Sequence, residues 1–192
     1  MIASVLAALF LTQTPPEPQD GPVATAPRAD VAGDGPVATA APAGGETTES
    51  LRFREAVAYG NELPRGAPQG DYPLVAWCEA LVNGHVALGE SLTTSDPLDL
   101  DIIRLGRLEA ADFRSALNAA EPRQTAASRE AARAAAAEAT AKWTPLAGQS
   151  EAVRSQAFGL FFGLPGRCEH AARRIRENIT TPPVTPAEVG LE

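Results

Sequence analysis

The side chains that could do chemistry in this 192-residue chain are few, because it contains only two cysteines and two histidines. His85 follows Cys78 by two helical turns, and His170 stands two positions after Cys168. Cysteine and histidine at such spacings indicate three kinds of chemistry: a disulfide, a metal site or nucleophilic catalysis.

Helix geometry weighs against two of these chemistries. Residues two apart on a helix point about 200° apart, so Cys168 and His170 cannot easily bind one ion of a Cys2His2 site. Cys78 and His85 share a helix face but lie about 10 Å apart along its axis, too far for His85 to take the thiol proton. We therefore expect no metal ligand and no catalytic residue here. His85 is predicted as a hydrogen-bonded core residue and His170 as a surface residue.

An acidic pair is the remaining enzyme chemistry, of the kind that cleaves glycosidic bonds. The carboxylates from which such a pair could be drawn are Glu55, Glu79, Glu90 and Asp112. Their spacing singles out no pair, and the chain has no phosphate-binding loop, His-Glu-x-x-His motif or Gly-x-Ser-x-Gly elbow. The sequence thus indicates no cofactor, and a net charge of -8 argues against a nucleic-acid partner.

The elements that position these residues are predicted to be five to six helices within residues 48–180. The best defined covers 71–91, where Leu74, Cys78, Leu81 and His85 recur at spacings of four and three. No segment alternates apolar and polar residues over the length of a strand. We therefore predict an all-α fold, a compact helical bundle. The remaining helices are expected at 48–59, from 96 to before 122, at 125–143, from 150 to 165 and from 168 to 179. Asp71 and Asp96 are the expected N-caps of the second and third helices. Buried positions are expected at Ile102, Leu105, Phe113 and Leu117, and at Val153, Ala157, Leu160 and Leu164.

Both cysteines fall on the inward stripe of their helices, which favours a Cys78–Cys168 disulfide in an exported chain. Alanine supplies 38 residues, so the predicted core is thin and such a bond matters. The chain-entropy model gives a loop of this length about 4–5 kcal/mol. Two free buried thiols and a metal site remain as alternatives.

The two chain ends differ in composition from the predicted helical domain. Residues 2–11 (IASVLAALFL) are apolar but too short to span a bilayer, so 1–14 is predicted to be a signal peptide or apolar leader. The alternative is the apolar N-terminus of a cytosolic protein, since no basic residue precedes the run. Residues 15–47 repeat DGPVATA from Asp20 and from Asp34, and are predicted to be a disordered arm. A disordered tail is predicted at 181–192.

Two segments resemble parts of small exported helical proteins of Gram-negative bacteria, a group without an assigned activity. They are residues 72–78 (YPLVAWC), with Gly84 and His85 downstream, and residues 164–169 (LPGRCE). The resemblance implies a periplasmic helical fold with paired cysteines. We expect a periplasmic or secreted, non-catalytic protein without a transmembrane anchor that binds another envelope protein. The alternative function is a cell-wall- or lipid-modifying enzyme that uses an acidic pair.

Overall fold

In the computed structural model the described residues are 46–161 and 163–191, and all their regular structure is helical. The α-helices are α1 (Thr48–Gly60), α2 (Asp71–Glu90), α3 (Pro97–Ala120), α4 (Ala126–Ala147), α5 (Glu151–Gly159) and α6 (Arg167–Arg176). Short 3-10 helices follow α3 at Glu121–Arg123 and α6 at Ala187–Val189. The predicted all-α bundle is confirmed. The leader and all but the last two residues of the predicted arm lie outside the described residues.

The central element is α2, which packs against α3, α4, α5 and α6. Its apolar residues cover most of its circumference, and Leu74, Val75 and Cys78 are fully enclosed. A helix that is apolar on several sides must be covered on several sides, so α2 forms the core of the domain. α3 runs antiparallel to α2, since Glu90 pairs with Arg107 while Glu79, earlier in α2, pairs with Arg114, later in α3.

Side-chain caps set the start of three helices. Oγ1 of Thr47 accepts a hydrogen bond from the Ser50 amide at the start of α1, and Thr125 caps α4 in the same way. The predicted cap Asp96 opens α3. The predicted cap Asp71 was wrong: Gly70 is the N-cap of α2, and the Asp71 side chain binds elsewhere in the core.

Two predicted helix ends were also wrong. α4 runs through Pro145 to Ala147, since a proline in the last turn costs little of the hydrogen-bond ladder, and Gly148 is the C-cap. α5 ends at Gly159, well before the expected Pro165.

Only some of the apolar residues of α3 and α5 that were expected to be buried are buried in the structure. Leu105 and Leu160 are more than half exposed and Val153 is exposed, whereas Ile103 and Phe158 are buried. A small residue determines which face of α3 packs on α2. A Cβ atom on Gly106 would lie 2.7 Å from Cγ2 of Val86, so this face approaches α2 closely. The face with Leu105 is therefore turned outward.

The segment after α6 has a defined fold in the structure, where a disordered tail was expected. Its 3-10 helix packs against α1, and a Cβ atom on Gly60 would lie 2.8 Å from Cγ of Pro186. Thr185 donates hydrogen bonds to Glu188 from its amide and its hydroxyl. Pro186 fits the surface of α1 at Gly60, a tertiary contact that composition does not reveal.

Candidate functional site

Cys78 and Cys168 form a disulfide that joins α2 to α6, as predicted. Both cysteines are buried, at 0% and 1% exposure, and their Cα atoms lie 6.1 Å apart. In this state neither sulfur is a thiolate, so neither binds a metal ion nor attacks a substrate. The chemistry of the cysteine pair is therefore structural.

His85 is a core residue with a hydrogen bond, as predicted. Its Nε2 lies 3.0 Å from the carbonyl oxygen of Phe158 and donates to it, and the Phe158 ring stacks on the imidazole at 4.5 Å. Phe161 covers another side of the ring at 4.4 Å. Burial lowers the pKa of His85 and keeps the imidazole neutral.

The prediction that His170 lies on the surface was wrong, because the residue is only 3% exposed. It lies where α6 faces α1, beside Phe53 and Val57, so the docking of α1 covers it. Burial lowers its pKa as well. Within residues 46–161 and 163–191, no three histidine, cysteine or acidic side chains gather as metal ligands would.

Each of the four carboxylates considered for an acidic pair is bound by arginine from another helix. Glu55 pairs with Arg173 and Arg174, Glu79 with Arg114, Glu90 with Arg107, and Asp112 with Arg176. The Glu90 and Asp112 pairs have N–O distances of 2.6 Å. These pairs connect α1 with α6, α2 with α3, and α3 with α6, so they act as links between helices.

Sequence reasoning missed a buried ionic cluster centred on Arg174, which is 5% exposed. Its Nη1 donates to Glu55 at 2.9 Å and its Nε donates to Asp71 at 3.0 Å. The Tyr59 hydroxyl also donates to Asp71, at 2.7 Å, and burial followed by this carboxylate raises the pKa of Tyr59. The spacing of the residues could have indicated that Arg174 is buried, since it follows Cys168 and Ala171 at intervals of three on the same face of α6.

An apolar groove runs along the contact of α2 and α4, with a volume of about 300 Å³. Its lining residues are Gly84, Ala87, Leu88 and Ser91 from α2 and its C-cap, and Thr140, Trp143, Thr144 and Ala147 from α4. Leu88 is buried and Trp143 half-buried. The hydroxyls of Ser91, Thr140 and Thr144 donate to carbonyls of their own helices, so the groove presents chiefly carbon atoms.

A second apolar surface lies on α3, where Leu98, Leu105 and Leu108 are 67%, 54% and 59% exposed. At 100° per residue these leucines lie within one sector of the helix. Asp101, Glu109 and Asp112 fall in or beside that sector, and we call the six residues the acidic leucine stripe. Partial burial, and next the charge of Glu169, raise the pKa of Glu109.

The fold and these surfaces define a disulfide-linked helical domain in which ion pairs connect several helices and some leucines are exposed. Comparison of the chain with models of protein families, with curated proteins and with solved structures finds no match. None of the helices described has both the length and the apolar character that crossing a membrane requires.

Proposed function

We propose that this chain is a non-catalytic helical module of the bacterial envelope that binds another protein through the acidic leucine stripe. The observation that carries the proposal is the exposure of Leu98, Leu105 and Leu108, each more than half accessible on one face of a long helix. Contiguous apolar side chains with a polar surround mark interaction surfaces, because burying them against a partner is favourable.

The charge of the stripe defines the chemistry of the partner. Of the stripe's three acids, Asp101 pairs with Arg104 and Asp112 with Arg176, so Glu109 is the acid that faces a partner without a salt bridge among the described residues. Arg107 and Arg114 lie on the other flank of α3, where they pair with α2. A second copy that docked the same stripe would place acids near acids, which is unfavourable. The proposed partner is therefore a helix that has apolar residues at helical spacing and is flanked by lysine or arginine.

Export is part of the proposal and has two supports. The apolar run at 2–11 has the length of a signal-peptide core. Disulfides persist in the periplasm and outside the cell, and the domain contains one at its centre. The alternative of an acidic-pair enzyme gains no support from Glu55, Glu79, Glu90 or Asp112, since arginine neutralises each of them.

The test replaces Asp101 with a photo-crosslinking residue in the full chain, which is expressed in Gram-negative cells. We expect one discrete protein adduct that Leu105→Lys abolishes, because lysine adds a like charge against a basic partner. Leu100→Lys is the matched control, since Leu100 is 51% exposed on the other flank of the same helix. An adduct that survives Leu105→Lys, or is lost equally in both variants, contradicts the proposed binding surface.

Export is measured separately, by thiol alkylation of denatured protein from periplasmic and cytosolic fractions. Mature, oxidised protein in the periplasm or medium is the expected result. A reduced chain confined to the cytosol would contradict export.

A further inference from the structure

We propose that the groove between α2 and α4 is a binding site for a free aliphatic monocarboxylate, with its chain in the groove and its carboxylate at Arg154. The site lies on other helices than the acidic leucine stripe and does not depend on the function proposed above. Three features support this proposal: the size of the groove, the hydrogen bonds that its hydroxyls already donate, and the surroundings of Arg154.

The groove fits a chain that needs no hydrogen bonds. Its volume of about 300 Å³ lies at the lower end of the range of small-molecule sites. Ser91 and Thr140 donate to Leu88 and Ala136 carbonyls at 2.6 and 2.9 Å, so these hydroxyls already have acceptors. A ligand acceptor placed there would lose its bonds to water and find no free hydroxyl proton, whereas methylene groups need no hydrogen bond.

Arg154 supplies a cation at the Ser91 end of the groove. Its Nη2 donates to the Ser91 carbonyl at 3.1 Å and its Nη1 donates to the Gln149 carbonyl at 2.7 Å. These two hydrogen bonds hold the guanidinium in place. Arg154 forms no ion pair with any acid in the part of the chain that the structure describes. Glu151, one turn before it, accepts a hydrogen bond from the Thr93 amide at 2.6 Å, and this contact lowers the pKa of Glu151 more than the charge of Arg154 does.

A fixed arginine at one end of an apolar groove matches a ligand with one anionic end. Charge-assisted hydrogen bonds from guanidinium to carboxylate are stronger than neutral ones. Anionic membranes, by contrast, attract clusters of four to eight basic residues, and this groove has a single arginine at its end. The arrangement therefore favours one soluble acid over a membrane surface.

The first experiment uses Trp143 in the full chain as the reporter and a bromine-labelled decanoate as the probe, below its micelle concentration. We expect saturable quenching of tryptophan fluorescence that is absent in Trp143→Phe, because Trp77 is 2% exposed in the core. Ala87→Phe, which places a ring in the groove, should abolish the quenching. Ala134→Phe is the matched control on an exposed part of α4 outside the groove and should leave it unchanged.

The second experiment tests the head-group site with decanoate and decanol. Decanoate should bind about tenfold more tightly than decanol, and Arg154→Gln should remove this difference while Arg154→Lys retains most of it. Equal binding of the two probes to the parent protein would overturn the assignment of Arg154. Quenching that survives Ala87→Phe, or that requires anionic phospholipid vesicles, would overturn the groove as a site for a free acid.

Discussion

At the scale of single residues, Arg174 makes the densest set of polar contacts in the domain. It donates to Glu55 from α1, to Asp71 from α2 and to the carbonyl of Thr181 beyond its own helix. Its guanidinium carbon also lies 5.7 Å from the centre of the Tyr59 ring. One buried side chain thus connects four parts of the chain, so its loss would leave two carboxylates without their main partner.

Replacing Arg174 by leucine should lower the free energy of unfolding by about 3–5 kcal/mol, because removal of one member of a buried ion pair leaves an uncompensated charge. Urea denaturation at neutral pH measures the change. Arg133→Leu is the matched control, because its pair with Glu130 is exposed at 71% and 74% and surface pairs contribute little. Similar losses in both variants would show that burial of the Arg174 cluster is energetically unimportant.

The two buried histidines predict how stability depends on pH. Burial lowers the pKa of His85 and His170 below the unfolded value of about 6.5. The unfolded chain therefore binds protons first, and stability that is fully present above pH about 6.5 falls as the pH drops toward the folded pKa values. We expect decreasing urea midpoints between pH 7 and 5.5.

His170→Leu should make this pH dependence shallower without removing it, because His85 still titrates. Glu55, Glu169, Arg54 and Arg173 surround His170 and remain in the variant. The slope of unfolding free energy against pH is the measured quantity. An unchanged slope would mean that His170 does not contribute to the linkage.

At the scale of elements, small residues determine how closely the helices approach α2. Gly84 contacts the Trp143 ring of α4, and Gly89 contacts Phe158 of α5 and Ile103 of α3. Because these glycines lack a Cβ atom, large side chains of the neighbouring helices fill the space over them. The alanine-rich α4 can pack on α2 for the same reason, with Ala132, Ala135 and Ala139 buried.

Gly84→Ala tests the contact between α2 and α4. A Cβ atom there would lie 2.0 Å from Cδ1 of Trp143, so the indole must move, and overpacking of this kind costs about 1–3 kcal/mol. The helix propensity of alanine offsets about 1 kcal/mol of that. We expect a lower thermal midpoint and altered Trp143 fluorescence.

The control for Gly84→Ala is Gly159→Ala at the end of α5, where a Cβ atom meets nothing within 4 Å. This variant should be neutral or slightly stabilising. If Gly84→Ala behaves in the same way, the tight packing of Trp143 on α2 is contradicted.

At the scale of the whole molecule, the disulfide and the ionic cluster act on the same short helix. α6 has ten residues and is bound to α2 by Cys168 and to α1 and α2 by Arg174. A helix this short has little stability of its own in water. Its position therefore depends on these tertiary bonds.

Removal of the disulfide should destabilise the domain by about 4–5 kcal/mol, because the bond closes a loop over a sequence separation of 90. The variant is Cys78→Ala with Cys168→Ala, compared with the parent protein by urea denaturation. Reductant should lower the midpoint of the parent protein once it unfolds and leave the variant unchanged. Equal stability of parent and variant would contradict a structural role for the bond.

The sequence by itself determined the features that depend on local spacing. Helical periodicity identified α2 and its buried seam, Asp96 before Pro97 located the start of α3, and the inward position of Cys78 and Cys168 predicted their bond. These features were predictable because backbone hydrogen bonds, caps and apolar periodicity involve residues close in sequence. The leader at 1–14 and the export that it suggests stay predictions.

Only the tertiary structure decided which polar side chains are enclosed. Arginine is rarely buried unless it is paired, and His170 follows a charged glutamate, so residue type alone places both at the surface, yet α1 and the segment after α6 cover them. Leu105 has the residue type and the helical spacing of a core leucine. It is nevertheless exposed, because the face of α3 that contains Gly106 is the one that packs on α2. Burial is set by which helix faces meet, and that depends on contacts between residues far apart in the chain, which periodicity within one helix does not contain.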